Sequence, residues 1–157
     1  MSGEPLIETV VEDEAWTRLL PDAAALAEAC RSAAARLEPA LKGEIALLLT
    51  DDARMRALNA RFRDKDRPTN VLAFPAGGDG GFLGDIALAR ETCAAEAAEK
   101  GVALRNHAAH LITHGVLHLI GYDHQTEEQA AVMERREAAV LKSLGIADPY
   151  ADAVERV

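Results

Sequence analysis

The sequence has few of the features that mark secreted or membrane proteins. Its two cysteines, Cys30 and Cys93, lie in separate alanine-rich helical patterns. They predict buried free thiols in a reducing compartment rather than a disulfide framework. No run of about 18 apolar residues is present, which argues against a transmembrane helix. Residues 1–11 lack the basic start and apolar centre of a signal peptide, so we expect a cytoplasmic protein.

Aromatic residues and positive charge are also scarce. Aromatics make up 4% of a chain that is 49% hydrophobic, so no stacking platform for single-stranded nucleic acid is visible. The net charge of −9 argues against a protein that coats nucleic acid non-specifically. The segment between residues 54 and 67, however, contains six basic residues and only two acidic ones, and we call it the basic window. Its basic members are Arg54, Arg56, Arg61, Arg63, Lys65 and Arg67.

Hydrophobic periodicity predicts strands and helices interspersed along the chain. Strands are expected at 6–11, 43–50, 71–74 and 83–88, and helices at about 22–37, 51–62, 89–100, 104–120 and 127–144. The prediction is one α+β domain over residues 1–157, with a small mixed sheet of about four strands covered by about five helices. The apolar side of the helix at 104–120 is expected to pack on the sheet through Ala109, Leu111, Ile112, Val116 and Leu119.

Three histidines near the end of that helix have the spacing of metal ligands. His114 and His118 lie one helical turn apart, so both imidazoles can bind the same ion. Gly121 is expected to end the helix in a left-handed conformation, which lets the chain turn back and bring His124 to the ion. Three histidines with an open fourth position are typical of a catalytic zinc site rather than a structural one.

Two further histidines lie on the same helix. A set made of His110, His114 and His118 would span about 12 Å along the axis, too far for one zinc ion with bonds of roughly 2.0–2.1 Å. His107 and His110 are therefore predicted to be hydrogen-bonded residues of the helix face, with a supporting or substrate-binding role left open for His110. Asp123 could either orient a ligand histidine or cap the turn.

The histidine spacing also matches that of metzincin proteases. Their motif, His-Glu-x-x-His-x-x-Gly-x-x-His, places the general base directly after the first histidine. Gly115 occupies that position here, so the carboxylate is missing. The protease alternative stays open only if Asp123 or Glu127 supplies the base.

The tract from His114 to His124 resembles the signature of the YbeY family, bacterial metal-dependent endoribonucleases involved in ribosomal RNA maturation. Further matches run in family order from about residue 44 to 150: Leu58-Asn59 through Arg63, residues 66–75 (Asp-Arg-Pro-Thr-Asn-Val-Leu-Ala-Phe-Pro), Leu83-Gly84-Asp85-Ile86 and Asp148-Pro149-Tyr150. Ala73 stands where the family usually has serine, and Asp64 where glycine is common. Pro68, Thr69 and Asn70 are expected as turn residues, and Gly84 and Asp85 as structural residues.

The resemblance implies a set of site residues and an activity. It implies that His114, His118 and His124 bind one Zn²⁺ per chain. It also implies that Arg63 is the functional arginine, whose guanidinium could clamp the scissile phosphate. The implied function is a zinc-dependent, single-strand-specific endoribonuclease acting in 16S rRNA 3′-end maturation and ribosome quality control, with the small ribosomal subunit as partner.

Other functions and chemistries remain compatible with the residues. The alternatives are a metal-dependent hydrolase such as a metzincin-like protease, and a ribosome-associated protein with structural zinc. Imidazole ligands also suit iron, nickel and copper. The residues do not decide whether a metal-activated water or the neighbouring 2′-hydroxyl attacks the phosphate.

Overall fold

The structure, a computed structural model, describes residues 6–63, 69–77 and 81–151, with the backbone only at Arg63. The strands are β1 (Ile7–Val11), β2 (Glu44–Thr50), β3 (Val71–Pro75) and β4 (Phe82–Ala89). The helices are α1 (Ala15–Leu19), α2 (Ala23–Leu37), α3 (Asp52–Arg63), α4 (Arg90–Lys100), α5 (Leu104–Leu119) and α6 (Glu127–Ser143). The predicted α+β class is confirmed, and the described residues include one helix more than expected, the short α1.

The four strands form one mixed sheet in the order β1-β2-β4-β3. β1 and β4 each run parallel to β2, whereas β3 runs antiparallel to β4 at the sheet edge. α5 packs across β3 and β4. The helix with the histidines therefore lies over the edge of the sheet that is formed by β3.

The main core lies between the sheet and the helices α2, α5 and α6. β2 contributes Ile45, Leu47 and Leu49, which alternate along the strand and are at most 1% exposed. The five apolar residues predicted for the packed side of α5 are all buried. A fully buried Ile112 alone is worth about 1.5–3 kcal/mol relative to an exposed one. Apolar burial therefore holds α5 in place independently of any bound ion.

Two glycines allow α5 to approach the sheet closely. A Cβ on Gly115 would lie 2.9 Å from Cγ2 of Ile86 in β4. A Cβ on Gly84 would lie 2.3 Å from the Phe74 carbonyl oxygen and 2.8 Å from Leu119, and its φ of +147° also disfavours other residues. The structural role predicted for Gly84 is confirmed.

The opposite face of the sheet is covered by α3. Met55 of α3 packs with Leu72, Ala87 and Ala89 in a second, smaller cluster. α3, which carries part of the basic window, therefore packs near the edge strand β3.

The buried thiols behave as predicted. Cys30 and Cys93 are both buried and free. Burial raises the pKa of Cys30 to about 11 and that of Cys93 to about 12, so neither forms a thiolate at neutral pH. None of the helices that the structure describes is long and apolar enough to cross a bilayer.

Candidate metal centre

The chain reverses direction at the end of α5, as the histidine pattern requires. The Gly121 N–H donates to the His118 carbonyl at 3.1 Å, and the Tyr122 N–H donates to the Leu117 carbonyl at 3.1 Å. This pair of bonds is a Schellman motif. Gly121 has a φ of +110°, and a Cβ there would meet nothing within 4 Å, so glycine is favoured by conformation alone. The predicted glycine end of the helix is confirmed.

The reversal brings the three histidine rings together. The His124 ring centroid lies 5.3 Å from that of His114 and 6.4 Å from that of His118. With zinc–nitrogen bonds of roughly 2.0–2.1 Å, the ring centroids of two tetrahedral ligands lie about 5 Å apart. The first separation matches this value, and the second is about 1 Å longer than it.

The three rings do not yet form a closed cage. Across residues 6–63, 69–77 and 81–151, no three His, Cys, Asp or Glu side chains stand close enough to hold an ion without adjustment. His124 lies on an exposed turn, whereas the packed helix α5 carries His114 and His118. A small movement of the His124 ring towards His118 is therefore the adjustment that would complete a three-histidine site.

Both helical histidines use the same ring nitrogen for a bond to the protein. Nδ1 of His114 lies 2.6 Å from Oε2 of Glu137, and Nδ1 of His118 lies 3.0 Å from the Tyr122 carbonyl oxygen. A carbonyl oxygen and an ionised carboxylate can only accept, so each Nδ1 carries the proton. The lone pair is then on Nε2, as a metal ligand requires. The donor set therefore fits a zinc ion.

Glu137 of α6 contacts the candidate ligand His114, and sequence reasoning missed it. Its side chain is 1% exposed and accepts hydrogen bonds from His114, from Nε2 of His110 at 2.9 Å and from the Tyr150 hydroxyl. Burial raises its pKa, but the three hydrogen bonds outweigh burial and lower the pKa to about 2. The sequence pattern that could have identified Glu137 is its helical spacing from Met133 and Val140, which places it on the apolar side of α6.

The other two histidines of α5 are hydrogen-bonded, as predicted. Nε2 of His107 lies 2.8 Å from Oε1 of Glu96, which also accepts from the Asn70 amide at 3.0 Å. Burial lowers the pKa of His107 despite the nearby carboxylate. His110 shares Glu137 with His114, which places it one hydrogen-bonded residue away from a candidate ligand.

The turn that carries His124 is capped by Asp123. Its Oδ1 accepts from the backbone N–H of His124 at 2.8 Å. Of the two roles considered for this residue, this contact supports the capping one. Asp123 therefore stabilises the conformation in which the chain turns back towards α5.

A cleft of about 890 Å³ opens in front of the three histidines. Its walls come from Asn59 of α3, residues 69–73, the turn after α5, one side of α6, and Tyr150. Ala73, at the position where the resembled family usually has serine, is 6% exposed and presents only a methyl group to this cleft. Most of the other lining groups carry polar atoms, so the cleft suits a polar, extended ligand.

The basic window lies partly on α3, beside this cleft. Arg54, Arg56 and Arg61 are exposed, and Arg54 lies 3.8 Å from Glu12 in a surface ion pair. Arg63 ends α3 one turn after Asn59, which lines the cleft, so the two Cα atoms lie on the same side of the helix. The Arg63 side chain lies outside the described residues, as do Asp64, Lys65, Arg67 and Pro68.

Sequence comparisons identify the relatives of this chain. The profile of the family described as Endoribonuclease YbeY matches residues 11–145. Proteins named Endoribonuclease YbeY are 50% identical in Rhodospirillum rubrum, over 88% of this chain and 78% of that one, and 52% identical in Sphingopyxis alaskensis, over 87% and 89%. The relative from Rhodopseudomonas palustris is 46% identical over 96% of this chain and 83% of its own.

One solved structure supports the fold. The solution structure of TM1509 from Thermotoga maritima matches with a TM-score of 0.57 over 88% of this chain and 91% of that one, at 23% identity. The similarity to this structure concerns the fold alone. The profile match and the three relatives show that the chain belongs to the YbeY endoribonuclease family.

Proposed function

We propose that the protein is a zinc-dependent endoribonuclease in which His114, His118 and His124 bind one Zn²⁺. The observation that carries the metal proposal is the shared use of Nδ1 by His114 and His118. Both rings are oriented by a bond to the protein and face a cleft that also receives His124. The observation that carries the RNA proposal is membership of a family whose members are named endoribonucleases.

The protein residues position the substrate and the ligands. When bound, the ion supplies Lewis acidity at the scissile phosphate and lowers the pKa of a water. Glu137 and the Tyr122 carbonyl keep the His114 and His118 rings in fixed directions. Arg63 is proposed to bind a phosphate oxygen pair with its forked guanidinium, and the exposed arginines of α3 to attract the rest of the RNA backbone.

The substrate, the cellular process and the location are proposed from the family resemblance and from the charge of the chain. We propose single-stranded RNA as the substrate, 16S rRNA 3′-end maturation and ribosome quality control as the process, and the cytoplasm as the location. A chain with a net charge of −9 attracts RNA only through a local patch. We therefore propose that a partner, the small ribosomal subunit, helps the protein to recognise its RNA site.

The protease alternative is disfavoured by a specific contact. The position that carries the general base in metzincins is Gly115, and a Cβ there would press against Ile86 at 2.9 Å. A glutamate at this position would point into the sheet and not into the cleft. Asp123, one of the two substitutes considered, accepts the backbone N–H of His124.

The test is cleavage of an end-labelled single-stranded RNA by the zinc-loaded protein. His114→Ala and Arg63→Ala should each lower cleavage by at least about 100-fold, because the first removes a proposed metal ligand and the second the proposed phosphate-binding group. Arg18→Ala is the matched control, since it removes the same charge from α1, which contributes no residue to the cleft, and should leave cleavage within about twofold. Equal cleavage by the wild type and by both site variants would contradict the proposal.

The product ends identify the attacking group. A 5′-phosphate and a 3′-hydroxyl indicate direct hydrolysis by water, whereas a 2′,3′-cyclic phosphate indicates attack by the neighbouring 2′-hydroxyl. RNA with a 2′-deoxy substitution at the cleaved position separates the two routes. Direct hydrolysis should continue on that substrate, and internal attack should stop.

A further inference from the structure

Glu137 connects the candidate ligand His114 with two residues outside the proposed ligand set, His110 and Tyr150. Its Oε2 accepts from Nδ1 of His114 at 2.6 Å. Its Oε1 accepts from Nε2 of His110 at 2.9 Å and from the Tyr150 hydroxyl. The two oxygens of one buried carboxylate therefore have different partners, and each partner constrains the orientation of the other.

The bonds at Oε1 decide where Oε2 points. A carboxylate held by a single bond can rotate about its side chain, but one held at one oxygen by two donors keeps its plane. His110 and His114 lie one turn apart on α5, so Glu137 spans that turn from the neighbouring helix. The position of Oε2 relative to α5 is therefore fixed by His110 and Tyr150.

Tyr150 is itself held in place by the C-terminal segment. Its backbone N–H donates to Oδ1 of Asp148 at 2.8 Å, and its ring meets the His110 ring edge-to-face with centroids 5.4 Å apart. Burial and the neighbouring carboxylate raise the pKa of Tyr150, so its hydroxyl stays protonated and remains a donor. The segment from Asp148 to Tyr150 thus belongs to the site structurally, although it lies outside the histidine tract.

We propose that Glu137 is the positioning residue that selects the Nδ1-protonated form of His114 and directs Nε2 to the metal, and that Tyr150 acts on His114 through Glu137. This inference rests on the proposed metal site. It adds to that site a buried anchor made of Glu137, His110 and Tyr150, drawn from α6, α5 and the C-terminal segment. Groups that orient metal ligands in this way typically change metal affinity about 10- to 100-fold.

The chain contains a matched control for this inference. Glu96 of α4 and His107 of α5 form the same kind of carboxylate–histidine pair, with Asn70 in the place of Tyr150. That pair contains none of the three candidate ligands. A purely structural role for Glu137 predicts that substitutions in the two clusters affect metal binding equally, whereas a positioning role predicts an effect at Glu137 alone.

The experiment measures zinc affinity by competition with a chromophoric chelator, using the full-length protein. Glu137→Gln should weaken zinc binding by about 10- to 100-fold and Tyr150→Phe by roughly 3- to 10-fold, because the phenylalanine removes only one of the two donors at Oε1. Glu96→Gln should leave the affinity unchanged within about twofold. Tyr150→Phe removes a single hydroxyl, so it decides the question if Glu137→Gln does not fold.

A second readout is independent of the metal. Nitrogen-15 NMR of the histidines in metal-free protein should show the proton on Nδ1 of His114 in the wild type and a mixture of both forms in Glu137→Gln. Unchanged affinity in both Glu137→Gln and Tyr150→Phe, or an equal loss in Glu96→Gln, would overturn the inference while the nuclease proposal stands. A wild type that binds no zinc would overturn the proposed function itself.

Discussion

The two halves of α5 use their histidines in opposite ways. In the first half, His107 and His110 bond to carboxylates through Nε2, the outer nitrogen of the ring. In the second half, His114 and His118 bond to oxygen acceptors through Nδ1, the nitrogen nearer the backbone. A histidine whose Nε2 is hydrogen-bonded to the protein cannot bind an ion through that nitrogen. The nitrogen that makes the hydrogen bond therefore distinguishes His107 and His110 from the candidate ligands His114 and His118.

The carboxylates bonded to His114 and to His107 also differ in burial. The Glu137 side chain is 1% exposed, whereas that of Glu96 is 32% exposed. Water can replace a lost partner at Glu96 but not at Glu137. The Glu137 cluster therefore gives the His114 ring a buried, rigid support, whereas the His107–Glu96 pair ties α5 to α4 and to Asn70.

The largest expected effect contrasts the two carboxylates. Glu137→Ala should lower the unfolding free energy of the metal-free protein by about 3–5 kcal/mol, because it removes the buried acceptor shared by His110, His114 and Tyr150 and opens a cavity. Glu96→Ala should cost about 1 kcal/mol, since water reaches His107 through the exposed side of the pair. Urea unfolding of both variants measures the difference. Equal losses would contradict the proposed contrast in burial.

Zinc binding should stabilise the protein through one half of the helix only. At a free zinc concentration 100 times the dissociation constant, the wild type should gain about 2.7 kcal/mol of unfolding free energy. His118→Ala should lose most of this gain, and His107→Ala should keep it although its own stability is lower. Denaturant unfolding with and without zinc measures the gain for each variant.

Removal of the metal then distinguishes catalytic from structural zinc. We expect the chelated wild type to keep its circular dichroism spectrum, because the apolar side of α5 is already buried against the sheet. Loss of the helical signal on chelation would instead support the ribosome-associated protein with structural zinc.

Gly121 should couple helix termination to the metal site. Gly121→Ala should cost about 1–2 kcal/mol of unfolding free energy, because alanine disfavours the φ of +110°. Gly101→Ala, at the end of α4 with a φ of +69°, should cost a similar amount. Only the first should weaken zinc binding, since only it displaces the turn that carries His124. Equal zinc affinities for the two variants would argue against a role of this turn in the site.

The smallest expected effect concerns pH and the first half of the helix. Burial lowers the pKa of His107 in the folded state below its usual value. The unfolded chain therefore takes up the proton more readily as pH falls, so the stabilising contribution of neutral His107 is present above the unfolded pKa and is lost below it. Between pH 7 and 5, His107→Gln should lose less stability than the wild type, as measured by thermal unfolding at several pH values.

Local patterns predicted most of the fold because they act within a few residues. The alternation in β2 and the buried stripe of α5 are both direct consequences of strand and helix periodicity. α1 escaped prediction because five residues carry no clear period. It is held by Trp16, which is fully buried and donates from Nε1 to the Thr50 carbonyl at 2.8 Å across 34 residues.

The sequence by itself determined the positions of the three histidines, the helix that carries two of them and the glycine that ends it. These features follow from local geometry, one turn at a time. Only the tertiary structure decided which nitrogen of His114 and of His110 is engaged, because their partners lie 23, 27 and 40 residues away. Periodicity shows that Glu137 faces inward, but packing against α5 decides which ring its carboxylate meets.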